Sequence, residues 1–317
     1  MFNFKTKLSI RILIGYEIGI FDSKKLLPDR NCIRIQLPDE TSTLSSTSAT
    51  NDNQKELPPT PLYNASVLSS STYDYYLKYL YTTKKSSEAF HDAVVLGSLW
   101  LKQRGFSGNI NNGGFGHFEF AMLMASLLQG GGNNGSKILL HGFSSYQLFK
   151  GTIKYLATQD LCNDGYLSFS SLVDDNRNSI YKSNGFNIPT IFDKNAKINI
   201  LWKMTTSSYE LLKNLANNTH NLLNDLISDR FNSIFIQNQT NQIIKYDLLL
   251  YLPLNSFENE FKKFNSLNKI SFLTFENFIS RKIYKLLKKG LDERCDLINV
   301  NITNSFKINN TTTIDNS

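Results

Sequence analysis

Two stretches of this 317-residue chain carry cations that could meet a phosphate. The first, WLKQRGFSGNINNGGFGHFEF (residues 100–120), sets Lys102 and Arg104 before a run of glycines. Such glycines let a backbone wrap an oxyanion, and a helix starting beyond them would aim its free N–H groups at it. The order departs from both phosphate-binding fingerprints, however. No Gly-Lys-Ser/Thr ends the run, G-x-G-x-x-G is absent, and the segment before it is helical rather than a strand. The glycines read better as a corner between two buried helices. Gly105 falls where a helix needs a left-handed C′ residue, with Lys102 and Arg104 in the last turn opposing the helix dipole.

The second stretch, FENFISRKIYKLLKK (residues 275–289), places Arg281, Lys285 and Lys288 at i, i+4 and i+7, flanked by Lys282 and Lys289. Phe275, Ile279, Ile283 and Leu286 are expected to form the opposite, buried stripe. Five cations on one amphipathic helix could neutralise several phosphates, so all five are candidate RNA-binding residues. The same pattern also fits a solvated face.

Other reactive types do not converge. Four histidines are scattered, and His117 and Glu119, two apart, would diverge on a helix. Glu258 and Glu260 diverge likewise. No G-x-S-x-G elbow occurs, and Cys32, Cys162 and Cys295 lack the spacing of a thiolate metal site. No catalytic residue, metal site or cofactor is expected.

These residues must be held by something, and the chain supplies it. Hydrophobic residues make up 41%, enough for real cores, and the net charge of +7 leans toward an acidic partner such as RNA. No apolar run approaches the length of a membrane span. Residues 5–20 alternate as a strand, and DETSTLSSTSATNDNQKELPP (39–59) reads as an unstructured insertion. Helices are then predicted over TYDYYLKYLYTT, SSEAFHDAVVLGSLWLKQRG (capped by Ser86 or Ser87), FGHFEFAMLMASLLQ, apolar nearly all round, and SYQLFKGTIKYLATQ. GYLSF, PTIFD, INILWKM, SIFI and IIKYDLLLYL read as strands. TSSYELLKNLANNTHNLLNDLI and SFLTFENFISRKIYKLLKK read as further helices, and the end as a disordered tail. The class is α+β.

An ordered series of segments carries a resemblance: KLLPDRNCIRI, PTPLYNASVL, AFHDAVVLGSLWLKQRGF, GGFGHFEFAMLMASLL, SSYQLFKGTIKYLA, ILWKMTTSSYELLKNLA and LISDRFNSIFI. Over most of residues 8–290 the chain resembles the Nrap family, nucleolar RNA-associated proteins of the small-subunit processome. The resemblance implies a helical domain like that of poly(A) polymerase and oligoadenylate synthetase. It would be flanked by the end of a nucleotidyltransferase-like sheet domain and by a second α+β domain. The expected divisions are 1–62, 63–165, 166–296 and a tail at 297–317. Family members are several times longer, so an internal fragment or split gene product is expected.

Nucleotidyl transfer on this fold needs Gly-Ser followed by paired carboxylates that hold two metal ions. Gly97-Ser98 lies in a predicted helix with no acidic pair after it, and Gly135-Ser136 is followed by KILLHGF. The resemblance therefore implies a non-catalytic scaffold of ribosome biogenesis in the nucleolus. Its partners would be pre-rRNA, small nucleolar RNA and other processome proteins, with no membrane and no cofactor. Two other readings stand beside it: an accessory part of an active template-independent nucleotidyltransferase, and a protein-interaction module without RNA contact.

Overall fold

The computed structural model describes residues 14–33, 59–130, 137–162, 167–168, 188–193, 195–225, 227–236, 247–248, 250, 252–253, 257, 259–260, 264, 266–295 and 297–300. The expectations placed on residues 1–13, on nearly all of the 39–59 insertion, on most of IIKYDLLLYL and on residues 301–317 lie outside these. Residues 14–20 are described and exposed but form no ladder, so the strand predicted there is corrected to irregular chain.

Helix α1, Pro61–Ser69, starts in the PTPLYNASVL segment, where no helix is predicted from periodicity. Its Pro sits at the first turn, where φ is preset and no N–H is missed. Buried Asn64 donates to the carbonyls of Leu27 (2.8 Å) and Arg30 (3.0 Å), which pins the LLPDR loop to this helix. Helices α2 (Tyr73–Ser86) and α3 (Phe90–Gln103) follow. Neither expected serine caps α3, which starts later, behind Ala89. Ser87 is buried instead and donates to the His141 carbonyl.

Helix α4, His117–Gln129, is buried from Glu119 to Leu128, as its all-round apolar sequence requires. α5, Ser145–Thr158, starts in a reciprocal box: Ser144 Oγ accepts from Gln147 N while Gln147 Oε1 accepts from Ser144 N. α6, Thr206–Leu223, packs along α5, which also lies against α3 and α4. Trp100, Phe120, Phe149, Leu148, Leu212 and Ala216 fill the space between these four helices.

A small sheet completes the α+β class. β1 (Leu167–Ser168) pairs parallel with β2 (Ile191–Asp193), and β2 pairs antiparallel with β3 (Ile198–Asn199). INILWKM is strand only at Ile198–Asn199. Beyond it the chain turns, with Met204 N donating to the Leu201 carbonyl. SIFI is likewise not a strand: Asn232–Ile236 winds into a π-type turn that buries Ile234 and Phe235. The Phe235 ring sits 5.2 Å from Phe149, so burial against α5 overrides the β-propensity of the four residues.

The β2–β3 turn hides a carboxyl. Asp193 is fully buried; its Oδ1 accepts from the amides of Asn195 (2.8 Å) and Ala196 (3.2 Å), and the Tyr76 hydroxyl of α2 lies beside it. Burial pushes this carboxyl above the usual Asp range, against the opposing pull of those amides, Tyr76 and Lys197. A folded-state pKa raised above the unfolded value contributes stability below about pH 4 that is lost as pH rises through the folded pKa. Asp193→Asn keeps an acceptor for both amides and removes the charge. Its stability relative to the parent should therefore rise between pH 4 and 7 in urea unfolding; a pH-independent difference would contradict this.

Candidate nucleic-acid interface

The glycine-rich corner is built as a helix terminus and a packing seam. At the end of α3, Gly105 adopts φ +75°, its N–H reaches the Lys102 carbonyl, and Phe106 N–H reaches that of Leu101. This is the paired C-terminal closure that a left-handed glycine permits. A Cβ at Gly97 would lie 2.1 Å from the Phe120 ring, so the absence of a side chain sets how closely α3 and α4 approach.

At the start of α4 the anion-receptive end is filled by the chain's own carboxylate. Glu119, 1% exposed, accepts from Gly116 N at 2.9 Å, and Lys203 Nζ bonds both Glu119 Oε1 (3.1 Å) and the Gly108 carbonyl (3.0 Å). A phosphate arriving here would meet a buried negative charge. Arg104 is not the surface cation of a last turn but a buried strut. Its guanidinium lies over Trp100 and donates to the carbonyls of Trp100 (3.1 Å) and Ile234 (2.9 Å), and burial pushes its pKa down to about 10. It remains a cation at neutral pH, spent on the π-type turn. In the sequence Glu119 drew notice only as a neighbour of His117 and Lys203 not at all; the signal that could have found the cap is a Glu three residues after Gly116, at the head of an apolar helix.

The basic stretch is helical as expected, but its helix begins later. α7, Ser266–Phe272, stops at Leu273, whose φ of +65° breaks the run, and α8 covers Phe275–Leu291. The single helix predicted over 271–289 is thereby corrected. Thr274 caps α8: its Oγ1 accepts from Asn277 N (3.2 Å) and donates to Asn111 Oδ1 (3.1 Å) in the glycine corner. Phe264, Phe275 and Phe278 cluster with centroids 5.4–6.4 Å apart, and Ile279 of the same helix is buried. The corner thus contacts the capping residue of the basic helix, while its own anion-receptive N–H group at Gly116 is taken by Glu119. Leu286, expected in the buried stripe, is 62% exposed.

The five cations separate into two groups. Arg281 is drawn inward, with Nε donating to Asn277 Oδ1 at 3.0 Å, and desolvation lowers its pKa to about 10. Lys282 pairs with Glu260. Lys285, Lys288 and Lys289 are exposed along one side of α8. The i, i+4, i+7 alignment of Arg281, Lys285 and Lys288 exists, but Asn277, buried one turn earlier, takes Arg281 out of it. Among the described residues no three His, Cys, Asp or Glu side chains gather to hold a metal, and no helix is long and apolar enough to cross a membrane.

Known proteins share this arrangement of segments. Residues 3–86 match the family model for Nrap protein domain 1, 89–238 the Nrap protein PAP/OAS-like domain, and 242–317 Nrap protein domain 3. U3 small nucleolar RNA-associated protein 22 of Saccharomyces cerevisiae is 49% identical over 94% of this chain and 24% of its own length. The Schizosaccharomyces pombe protein of the same name is 32% identical over 76% of the chain and 20% of its own length. Nucleolar protein 6 of Xenopus tropicalis is 26% identical over 92% and 24%. The chain spans about a quarter or less of the length of these relatives. With three consecutive domain models matched in order along it, the chain belongs to the Nrap family.

Proposed function

We propose that this chain is a non-catalytic part of a nucleolar ribosome-biogenesis scaffold and meets pre-rRNA or small nucleolar RNA through the phosphate backbone. Relatives named for association with U3 small nucleolar RNA and for the nucleolus support the setting and the RNA class. Other small-subunit processome proteins would share the remaining surface. The non-catalytic reading rests on Gly97-Ser98, which lies inside α3 with no carboxylate pair following it.

One observation carries the RNA contact: Lys285, Lys288 and Lys289 stand exposed on a helix whose opposite end is fixed by Thr274 and a phenylalanine cluster. A rigid rod of ammonium groups suits phosphates in any sequence, because such contacts position without reading bases. Arg281 and Lys282 belong to the same helix but are engaged within the fold: Arg281, held by neutral Asn277, adds field rather than direct contact, and the charge of Lys282 is offset by Glu260.

Lys285→Gln, Lys288→Gln and Lys289→Gln together keep helix propensity and remove three charges. In a filter-binding titration the slope of log affinity against log salt should shrink by roughly two to three, at about 0.7–0.9 per lost contact. An unchanged slope would leave this face merely solvated and the reading without its support.

A further inference from the structure

Helix α2 turns an unusual face outward. Tyr73, Leu77 and Tyr81 recur every fourth residue and are 40%, 68% and 58% exposed, although only the two phenol hydroxyls call for solvent. Four-residue spacing stacks them up one side of the helix, with the two rings about 12 Å apart along its axis. Lys84, about three turns after Tyr73, returns to that side, and the Lys85 ammonium stands 4.7 Å over the Tyr81 ring. The face continues past the start of the helix. Tyr16, 49% exposed, is held there by its N–H donating to the Ser70 carbonyl, and Gly15 lies against the Tyr73 ring. On α2 itself the one acid is Asp74, and Lys78 neutralises it at 2.6 Å.

We propose that this face, Tyr16, Tyr73, Leu77 and Tyr81 with Lys84 and Lys85 at its end, is a stacking platform for unpaired bases of single-stranded RNA. Exposed aromatic rings interleaved with cations bind single strands because every base offers a π-face and every nucleotide a phosphate. A protein partner would favour the rings but not the lysines, which are depleted at protein interfaces. A duplex would present phosphates to the lysines but keep its bases stacked and away from the rings. This surface takes only the class of partner from the reading above; its residues and its mode of contact are separate from those of α8.

The test uses the 317-residue chain, a short unstructured RNA and a duplex of equal length, followed by fluorescence anisotropy over a range of salt. Tyr73→Ala with Tyr81→Ala should weaken single-strand binding by at least about 10-fold and leave the salt slope unchanged, since stacking releases no counterions. Tyr73→Phe with Tyr81→Phe should restore it, because the ring and not the hydroxyl makes the contact. Duplex affinity should stay at the parent value. Single-strand affinity unchanged in the Ala pair, an equal loss on duplex, or failure of the Phe pair to restore binding would each overturn the platform. So would a chain with no affinity for the single strand, or an Ala pair that loses a bound protein while RNA binding persists. The α8 lysine variants move the slope and this pair moves the affinity, so either surface can fail while the other stands.

Discussion

Replacing Trp100 by Ala should lower the unfolding free energy by about 3–5 kcal/mol, the largest loss expected from a single side chain here. The indole is fully buried, donates from Nε1 to Thr219 Oγ1 at 2.9 Å, and meets Phe149 edge-on with centroids 6.5 Å apart. It also covers the Arg104 guanidinium, which would then face a cavity where the indole ring had been. Four helices meet at this point, so little relaxation is available to close the void. Trp100→Phe keeps most of the ring and loses the N–H, and should cost about 1–2 kcal/mol. Guanidinium unfolding followed by far-UV circular dichroism checks both. Two variants with the parent's midpoint would mean that the α3–α6 junction is not where the fold is held.

Lys203→Met should cost about 2–4 kcal/mol, well above the worth of a surface ion pair. The reason is asymmetry of burial: Lys203 is partly exposed, whereas Glu119 is not. Removing the lysine strands a carboxylate at the start of α4, left with the Gly116 N–H alone among the contacts that stabilise it. Glu119→Gln retains an acceptor for that N–H without a charge. The double variant Lys203→Met/Glu119→Gln should therefore be more stable than Lys203→Met, recovering more than half of the loss. A double variant as unstable as the sum of the two single changes would show that the pair is not energetically coupled.

Local signals made some of this molecule readable in advance. The nearly all-round apolar sequence of α4 demanded a buried helix, the helical period of SYQLFKGTIKYLATQ gave α5, and Gly105 after Gln103-Arg104 announced the end of α3. Each rests on interactions within one turn or on periodicity of one segment, so neighbouring residues suffice to specify it. The order of segments along the chain likewise pointed to the Nrap family, which the domain matches show.

What tertiary structure alone decided involves partners distant in sequence. Arg104 and Lys102 look equivalent as letters, yet Arg104 is committed to Ile234, 130 residues away, and the same contact helps turn SIFI from a strand into a π-type helix. Arg281 and Lys285 share a face by spacing, but buried Asn277 holds the first, and Lys282 goes to Glu260. Leu273, with nothing in its type to mark a break, takes a left-handed turn as Thr274 docks on Asn111 of the glycine corner. A charge's availability depends on which acceptor the folded chain brings within about 3 Å of it, and sequence spacing carries no information on that distance. Local sequence therefore determined most of the helices and which of them carry charge, while packing determined the π-type turn, the break at Leu273 and which of those charges are left for a partner.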